Sequence, residues 1–275
     1  MPSGSRAPAG RSGAPGGSYG DGRESLLAKT RYLILSDIHS NLEALDAVLR
    51  AVQRRRYDAV LCMGDLVGYG ASPNPVVSRL RRMRTAFMVR GNHDKVCCGI
   101  EDGANFNSAA RTAAYWTLQH LRPENREFLL KMPKGPREVA PGVWIAHGSV
   151  PDEDAYLFSD FDAFQSFESG PFQVCFFGHT HFPSVFKRVE DGVEFSPLKG
   201  EVVELLLEPG VRYMINPGSV GQPRDRNPKA SFAEYYPDSR RLVVRRVAYD
   251  VAAAGAKIRK AGLPENLANR LLVGT

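Results

Sequence analysis

Five short motifs hold the residues of this chain that are best suited to chemistry. Each directly follows a predicted strand, and together they contain five of the six histidines. In chain order they are Asp37-Ile38-His39, Gly64-Asp65, Gly91-Asn92-His93-Asp94, His147-Gly148 and Gly178-His179-Thr180-His181. Imidazole, carboxylate and amide groups are ligands of divalent transition metals. Any one motif arises often by chance, and a lone histidine is more often structural. Their joint occurrence at strand ends indicates a metal centre.

The strands that precede the first three motifs belong to an alternating pattern. Apolar runs predict strands at residues 32–35, 59–63 and 86–89, with helices at residues 42–52 and 75–83 between them. This β-α-β-α-β order is typical of a parallel sheet covered by helices. Because such sheets collect their sites at the carboxyl ends of their strands, we expect the motifs to meet at one edge.

The later part of the chain is predicted to be mainly antiparallel. Helices are expected at residues 107–120 and 124–131, and strands at residues 143–146 and 174–177. Turn signals then separate three pairs of strands, at residues 185–189 and 193–195, 202–207 and 213–215, and 232–236 and 242–247. Two sheets packed face to face, with helices outside, accommodate both parts of the chain.

Composition divides the chain into three predicted segments. Residues 1–29 form a Gly-, Pro- and Arg-rich tail, which we expect to be disordered because it buries too little apolar surface to offset its ordering entropy. Residues 30–250 form the α/β domain. Residues 251–275 form a C-terminal helical appendage of two short helices, interrupted at Gly262 and resumed at Pro264.

Composition also limits the partners and the compartment. The chain has 275 residues, and no apolar run approaches the ~20 residues of a membrane span. The four cysteines show no paired zinc-ligand spacing, so we expect reduced thiols in a cytoplasmic protein. The formal charge is +6, with arginine runs near helix ends that lack interleaved aromatics. This pattern disfavours a nucleic-acid partner. A homo-oligomer is left open.

The five motifs resemble those of the calcineurin-like metallophosphoesterase superfamily, whose pattern is D-x-H, GD, GNH[DE], H and GHxH. The match covers about residues 31–250. The resemblance implies a mixed α/β (α+β) fold, a four-layer αββα double β-sandwich flanked by helices. It also implies two divalent ions, one held by Asp37, His39, Asp65 and His181, and the other by Asp65, Asn92, His147 and His179.

In that resemblance Asp65 bridges the two ions, and His93 is a catalytic residue rather than a ligand. His93 is expected to contact the phosphate and to protonate the leaving oxygen. Asp94 is expected to accept a hydrogen bond from the other ring nitrogen of His93 and so to fix its tautomer.

The charges of such a site favour phosphate-ester hydrolysis. Two divalent ions bring four positive charges, of which Asp37, Asp65 and a bridging hydroxide remove three. The remaining charge attracts and polarises a phosphate, and the hydroxide attacks it. We therefore expect a phosphoesterase that hydrolyses small phosphodiesters and some phosphomonoesters. Mn²⁺ is the expected metal, and Fe²⁺, Ni²⁺ and Zn²⁺ suit the same ligands.

Other branches of the superfamily provide the alternatives. Phosphoprotein phosphatases and symmetrical dinucleoside-tetraphosphate hydrolases carry an Arg-Gly after the GD aspartate, whereas residues 66–70 contain no arginine. Both activities are therefore disfavoured. A dedicated cyclic-nucleotide phosphodiesterase shares the five motifs and stays open. A catalytically silent scaffold is disfavoured because the ligand set is complete.

The small bacterial phosphodiesterase branch offers a closer likeness. Residues 68–70 and the loop at residues 216–224 resemble that branch. Arg224 and Ser219 in this loop are candidate substrate-binding residues. The alternative is that Asn-Pro-Gly-Ser at the start of the loop is only a turn.

Overall fold

The structure is a computed structural model that describes residues 30–275, so the predicted tail at residues 1–29 lies outside the described part. The described residues form twelve strands and eight α-helices. The strands are β1 (Tyr32–Leu35), β2 (Ala59–Cys62), β3 (Ala86–Met88), β4 (Arg137–Ala140), β5 (Val143–Ile145), β6 (Val174–Phe176), β7 (Ser184–Val189), β8 (Gly192–Pro197), β9 (Val202–Leu206), β10 (Tyr213–Asn216), β11 (Ala230–Tyr236) and β12 (Arg241–Val247). The helices are α1 (Leu42–Val52), α2 (Pro73–Arg81), α3 (Asn92–Cys98), α4 (Ser108–His120), α5 (Pro123–Leu130), α6 (Asp160–Glu168), α7 (Val251–Lys260) and α8 (Glu265–Val273).

The strands form two six-stranded sheets of mixed direction. The first has the order β3-β2-β1-β11-β12-β9, and the second β4-β5-β6-β10-β7-β8. In the first sheet β1, β2 and β3 are parallel, and in the second β5, β6 and β10 are parallel. The other neighbours are antiparallel. Each sheet thus has one parallel group whose carboxyl ends carry the motifs.

The main core lies between the two sheets, with helices on their outer faces. Because side chains alternate along a strand, Ile34 points into the layer between the sheets while Leu33 and Leu35 pack on the helix side. On the second sheet, Phe167 of α6 packs with the outer-face residues of β6 and β10. This arrangement confirms the predicted four-layer αββα double β-sandwich.

One predicted strand pairing is wrong, and three elements were not predicted. Strands β9 and β10 do not pair, because β9 lies in the first sheet beside β12 and β10 lies in the second between β6 and β7. The Pro209-Gly210 segment therefore crosses between sheets instead of closing a hairpin. The sequence patterns also missed α3, β4 and α6. In α6 the aromatic rings of Phe161 and Phe164 are exposed, which obscures the helical stripe formed by Ala163 and Phe167.

The two C-terminal helices are confirmed, and they pack against the domain. Ile258 of α7 and Leu267 of α8 share a hydrophobic cluster with Ala113 of α4 and with Tyr69, which follows the Gly64-Asp65 motif. The main-chain N–H of Arg226 donates to the carbonyl of Gly274 at 2.8 Å. This end of the chain therefore forms a wall beside the motif loops.

Two further features concern the cysteines and the helices. All four cysteines are buried and free. Within residues 30–275, none of the helices combines the length and the apolar character needed to cross a membrane.

Candidate metal centre

The motif side chains converge from the carboxyl ends of both parallel strand groups. The first sheet carries Asp37, His39, Asp65 and Asn92, and the second carries His147, His179 and His181. Six of these seven side chains are buried, and Asn92 is half-buried. They form two clusters that share Asp65. The predicted meeting of the motifs at one edge of the sandwich is therefore found in the structure.

The first cluster contains Asp37, His39, Asp65 and His181, whose ligand atoms all lie within 4.8 Å of one another. His39 Nε2 is 3.1 Å from His181 Nε2. His181 Nε2 is 3.4 Å from Asp37 Oδ1, and His39 Nε2 is 3.5 Å from Asp65 Oδ2. Metal–ligand bonds of ~2.0–2.2 Å to nitrogen and oxygen are compatible with such separations around one shared point.

The second cluster contains Asp65, His147 and His179, again within 4.8 Å, with Asn92 beside them. His147 Nε2 is 3.1 Å from His179 Nδ1 and 3.1 Å from Asn92 Oδ1. It is also 3.5 Å from Asp65 Oδ2. The same Asp65 oxygen is thus equally far from a histidine of each cluster, which is the position that a bridging carboxylate occupies.

Main-chain carbonyls orient three of the imidazoles. Nδ1 of His39 lies 3.1 Å from the carbonyl oxygen of Val67. Nδ1 of His147 lies 2.7 Å from that of Met63, and Nδ1 of His181 lies 2.6 Å from that of Gln222. Because a carbonyl only accepts, each Nδ1 carries the hydrogen and each Nε2 presents a lone pair to the cluster. Such outer hydrogen bonds are how proteins fix the metal-binding tautomer of histidine.

Burial sets the charge state of the clusters. It raises the pKa of Asp37 to about 7 and that of Asp65 well above its usual range, with Asp94 adding to the second shift. It lowers the pKa of His179 to about 2 and those of His39 and His181 well below 6.5. These three imidazoles are therefore neutral, and within residues 30–275 no Lys or Arg side chain forms an ion pair with Asp37 or Asp65. The donor set fits divalent cations.

One carboxylate oxygen supports the same conclusion. Asp37 Oδ2 is buried and has no hydrogen-bond partner within residues 30–275. Its companion Oδ1 accepts from the main-chain N–H of His179 at 3.1 Å. Buried polar atoms are rarely left unpaired, so this oxygen is suited to a ligand that the chain itself does not supply.

The backbone at these residues is strained. Five of the seven cluster residues have a positive φ of 48–65°, namely Asp37, His39, Asp65, His179 and His181. Non-glycine residues rarely adopt this left-handed region, and each costs of order 1–3 kcal/mol. The two sheets therefore hold the ligand loops in a conformation that local preference disfavours, as is common at functional sites.

Two motif glycines allow the loops to approach each other. A Cβ at Gly91 would lie 2.1 Å from Asp65 Oδ1, and one at Gly178 would lie 2.1 Å from Ser36 Oγ. No side chain fits at either distance. The glycines of the GNHD and GHTH motifs are thus needed so that the backbone can pass directly against the clustered carboxylates.

His93 lies beside the clusters and belongs to neither of them. Its ring is 4% exposed and packs against His39, Tyr69 and Phe106, with centroid distances of 4.9, 4.3 and 4.4 Å. Its main-chain N–H donates to Asp65 Oδ1 at 2.9 Å. This position is compatible with the non-ligand role implied for His93, which stays a prediction.

The predicted hydrogen bond between His93 and Asp94 is wrong. Asp94 Oδ1 accepts from the N–H groups of Leu66 and Val67 at 2.9 and 3.2 Å, and Oδ2 accepts from that of Gly91 at 3.0 Å. Within the described chain, Nδ1 of His93 has no hydrogen-bond partner. Asp94 stands at the third position of α3, where a carboxylate turns back to the helix N-cap. It positions the loop after Asp65.

The loop at residues 216–224 lies against the first cluster, but its two candidate residues differ. Ser219 is fully buried, and its hydroxyl donates to the carbonyl of Asp37 at 2.7 Å and accepts from Gln222 N–H. This burial argues against the predicted contact with substrate and gives Ser219 a positioning role. Arg224 is half-buried, and its Nη2 is 3.4 Å from the Tyr69 hydroxyl, close to the clusters.

A cleft of about 560 Å³ opens over the centre. Its lining includes Asn92, His93 and His179 together with three aromatic residues, Tyr69, Phe106 and Tyr156. The Tyr156 ring is 47% exposed and stacks on His179 at 3.8 Å. None of these aromatic residues was predicted from the sequence to belong to the site. Tyr69 had a usable signal, since it stands between two glycines directly after the GD motif, whereas the other two lie in loops without a pattern.

The chain belongs to the calcineurin-like phosphoesterase superfamily, whose domain matches residues 31–238. It is similar to an uncharacterized protein of Methanocaldococcus jannaschii, with 37% identity over 254 residues that cover 90% of this chain and 100% of the relative. Family membership and the buried His/Asp clusters together indicate a metallophosphoesterase that binds divalent metal.

Solved structures agree with this assignment. A metallophosphoesterase from Sphaerobacter thermophilus is 37% identical, covers 90% of this chain and 100% of its own, and superposes with a TM-score of 0.79. A hypothetical protein from Pyrococcus horikoshii is 17% identical with a TM-score of 0.72, over 90% of this chain and 99% of its own. At that identity the second likeness concerns the fold alone.

Proposed function

We propose that the protein is a binuclear metal-dependent phosphoesterase that hydrolyses phosphodiesters and some phosphomonoesters, with Mn²⁺ as its metal. The observation that carries the proposal is the position of one oxygen, Asp65 Oδ2, at 3.5 Å from a histidine nitrogen in each of two ligand clusters. Asp37, His39, Asp65 and His181 would hold one ion. Asp65, Asn92, His147 and His179 would hold the other.

The chain supplies the surroundings that such chemistry needs. When bound, a pair of divalent ions lowers the pKa of coordinated water and polarises a phosphate ester. The three carbonyl-fixed imidazoles keep their Nε2 lone pairs aimed inward. Burial of the clusters excludes bulk water and strengthens electrostatic contacts with an incoming phosphate. Aromatic rings line part of the cleft of about 560 Å³, whose volume can hold the organic groups of an ester.

We assign His93 as the residue that donates a proton to the leaving oxygen. Its ring lines the cleft next to Asn92 and His179 and takes no part in either cluster. Burial holds its pKa well below 6.5, with the charge of Arg224 contributing. A bound phosphate anion favours the protonated ring, because an opposite charge nearby stabilises it. His93 then delivers the proton as the ester bond breaks.

The test is removal and return of metal with a matched pair of histidine variants. We expect exhaustive chelation to abolish hydrolysis of bis-p-nitrophenyl phosphate and Mn²⁺ to restore it. His147→Ala should lose restored activity, because that imidazole contacts Asp65 and Asn92. His120→Ala is the control, since the His120 side chain is exposed and its Nδ1 donates to the Trp116 carbonyl at 2.7 Å. Full activity in protein shown to be metal-free by elemental analysis would contradict the proposal.

A further inference from the structure

Two arginines converge on Tyr69 at the edge of the metal centre. The guanidinium carbons of Arg224 and Arg270 each lie 5.9 Å from the centroid of the Tyr69 ring. The same ring also contacts His93 and His39, at centroid distances of 4.3 and 4.7 Å. One tyrosine therefore contacts two arginines, the candidate catalytic residue and a metal-ligand candidate.

Among residues 30–275, no Asp or Glu side chain forms an ion pair with Arg224 or Arg270, whereas Arg245, Arg246 and Arg259 all have such partners. Arg224 donates to the Gln222 side-chain oxygen at 3.0 Å, and its buried Nε has no partner within the described chain. Arg270 donates through Nε to a carboxylate oxygen of Thr275, the last residue of the printed sequence, which balances part of its charge, and within residues 30–275 its two Nη groups donate no hydrogen bond.

The two charges also act on each other. Burial lowers the pKa of Arg270, and repulsion from Arg224 lowers it further. Holding two like charges close together in a partly buried place is unfavourable unless an anion joins them. Such a pair therefore resembles a site prepared for a ligand more than a stabilising contact.

Arg270 and Tyr69 border a cavity that adjoins the cleft of the metal centre. Arg270 lines a cavity of about 460 Å³ together with Tyr69, Asn107 and Ser108. Tyr69 and Asn107 also line the cleft of about 560 Å³ that contains His93 and His179. A ligand that reaches the metal centre can thus extend past Tyr69, whose hydroxyl contacts Arg224, to Arg270.

The C-terminal helices bring the pair together. Arg270 lies on α8, beyond the residues 31–238 that match the family domain. The loop of Arg224 is tied to the end of that helix, because Arg226 N–H donates to the Gly274 carbonyl and Gly274 packs against Asn227. On its other side, Arg224 N–H donates to the carbonyl of His181 at 3.5 Å. The loop thus links α8 directly to a ligand motif.

We propose that Arg224, Arg270 and Tyr69 form an anion subsite, and that the substrate carries a second phosphate a few bonds from the phosphate that is cleaved. This inference rests on the proposed function, because it places the reacting phosphate at the metal centre. Guanidinium groups bind phosphate through paired charge-assisted hydrogen bonds, and the Tyr69 hydroxyl offers a further donor. Arg270 is then a specificity-determining residue that the helical C-terminus supplies.

The first test compares two esters that differ only in the second phosphate. The Mn²⁺-loaded protein is assayed with thymidine 5′-(p-nitrophenyl phosphate) and with its 3′-phosphorylated derivative. We expect KM for the phosphorylated ester to be lower by about tenfold or more, as charge-assisted hydrogen bonds allow. Arg270→Gln should remove this preference and Arg270→Lys should restore part of it. Equal KM values in the parent protein, or an unchanged preference in Arg270→Gln, would overturn the inference.

A charge-matched control excludes a general effect of lost positive charge. Arg259→Gln removes one arginine from α7 that pairs with the exposed Glu265, away from the cleft. We expect this variant to keep the full preference. If it loses the preference as Arg270→Gln does, the subsite is wrong. Far-ultraviolet circular dichroism and melting temperature show whether α8 stays folded, and the lysine variant keeps the test valid if the glutamine variant unfolds.

The second test does not depend on hydrolysis. Methylenediphosphonate and inorganic phosphate are titrated calorimetrically into the metal-free protein. We expect Arg270→Gln to weaken binding of both by about tenfold, and Arg259→Gln to leave it unchanged. Equal binding by the parent and Arg270→Gln would contradict the subsite. If neither thymidine ester is hydrolysed while this binding difference is found, the proposed function fails and the subsite stands.

Discussion

Asp65 and Glu234 are both buried carboxylates, with 1% and 0% of their surface exposed, and the chain treats them in opposite ways. Glu234 on β11 accepts hydrogen bonds from Arg55, from Arg245 Nε at 2.7 Å and from the Tyr57 hydroxyl at 2.8 Å. Asp65 accepts one hydrogen bond, from the main-chain N–H of His93 at 2.9 Å, and within residues 30–275 no Lys or Arg side chain pairs with it, only the imidazoles of His39 and His147 at 3.5 Å.

Their pKa values follow from these surroundings. Burial alone would raise the pKa of Glu234, but hydrogen bonds from Arg245 and Arg55 outweigh it and hold the pKa below 4.5. Burial raises the pKa of Asp65, and the neighbouring Asp94 raises it further. A buried carboxylate that has its cations on the chain serves the fold. One that lacks them is prepared for a cation from outside.

The substitution with the largest expected effect is Asp65→Asn, which tests whether Asp65 serves metal binding and not the fold. Activity should fall by more than about 10³-fold, because loss of a single electrostatic contact to a reacting group already costs ~10²–10³-fold. Both sites should lose affinity for Mn²⁺, whereas Asp37→Asn should weaken mainly one. The measurements are kcat/KM and metal content by elemental analysis. Parent-like stoichiometry in Asp65→Asn would exclude a bridging role.

His93→Ala tests whether His93 is a catalytic residue and not a metal ligand. Because no cluster contact comes from its ring, the variant should keep its full metal content. For an alkyl phosphodiester, whose leaving group needs a proton, kcat should fall by ~10²–10⁴-fold. For a p-nitrophenyl ester the loss should be smaller. Equal losses for both esters would assign His93 to phosphate binding, and a lost metal would make it a ligand.

Glu234→Gln is expected to lower the stability of the fold while leaving metal binding and activity unchanged. It leaves Arg55 and Arg245 without their shared carboxylate. We expect the free energy of unfolding to fall by about 2 kcal/mol, below the ~3–5 kcal/mol of fully buried pairs, since both arginines are partly exposed. Urea denaturation measures the loss, and Mn²⁺ content should not change. A stability equal to that of the parent would show that the two carboxylates differ less than we infer.

The smallest effect is a pH dependence of metal affinity. The pKa of Asp37 is raised to about 7, so its contribution to the metal-free fold is present at low pH and is lost as pH rises through about 7. His179 has its pKa lowered to about 2, so its contribution is complete above about pH 6.5 and opposes this trend only below that. Between about pH 6.5 and 8 the carboxylate dominates.

In that window, Mn²⁺ and protons compete for the same carboxylates. We expect the melting-temperature gap between Mn²⁺-loaded and metal-free protein to widen as pH rises, with apparent affinity increasing by up to about tenfold per pH unit for each proton displaced. Thermal denaturation at several pH values with buffered metal checks this. A gap that narrows with pH would mean that the clusters do not bind metal through their carboxylates.

Strand ends explain why the candidate centre was predictable from sequence. An apolar run that ends before Ser36 and is followed by Asp37-Ile38-His39 indicates both a strand and a functional loop after it. The same pattern precedes Asp65 and His147. The sandwich followed from the two kinds of strand pattern. The partner of β9 did not, because an exposed edge strand and a buried central strand can share the same turn signal between them.

Contacts that depend on the tertiary structure were harder to predict from the sequence. Asp94 has the right residue type to orient His93, yet its place in the first turn of α3 directs both oxygens to main-chain N–H groups. Glu234 and Arg55 are far apart in sequence, so nothing local pairs them. No sequence pattern marked Arg270 as a site residue, because its position beside Tyr69 depends on how α8 packs against the rest of the domain.

The most direct test of the central claim is an electron paramagnetic resonance titration of Mn²⁺ into the metal-free protein. The shared Asp65 oxygen predicts that two ions bind per chain and that their spins interact, because ions in such sites lie ~3.5–4 Å apart. The bound signal should then be that of a coupled pair, and Asp65→Asn should abolish it. Binding of two ions with the six-line spectrum of isolated Mn²⁺, or binding of none, would contradict the account.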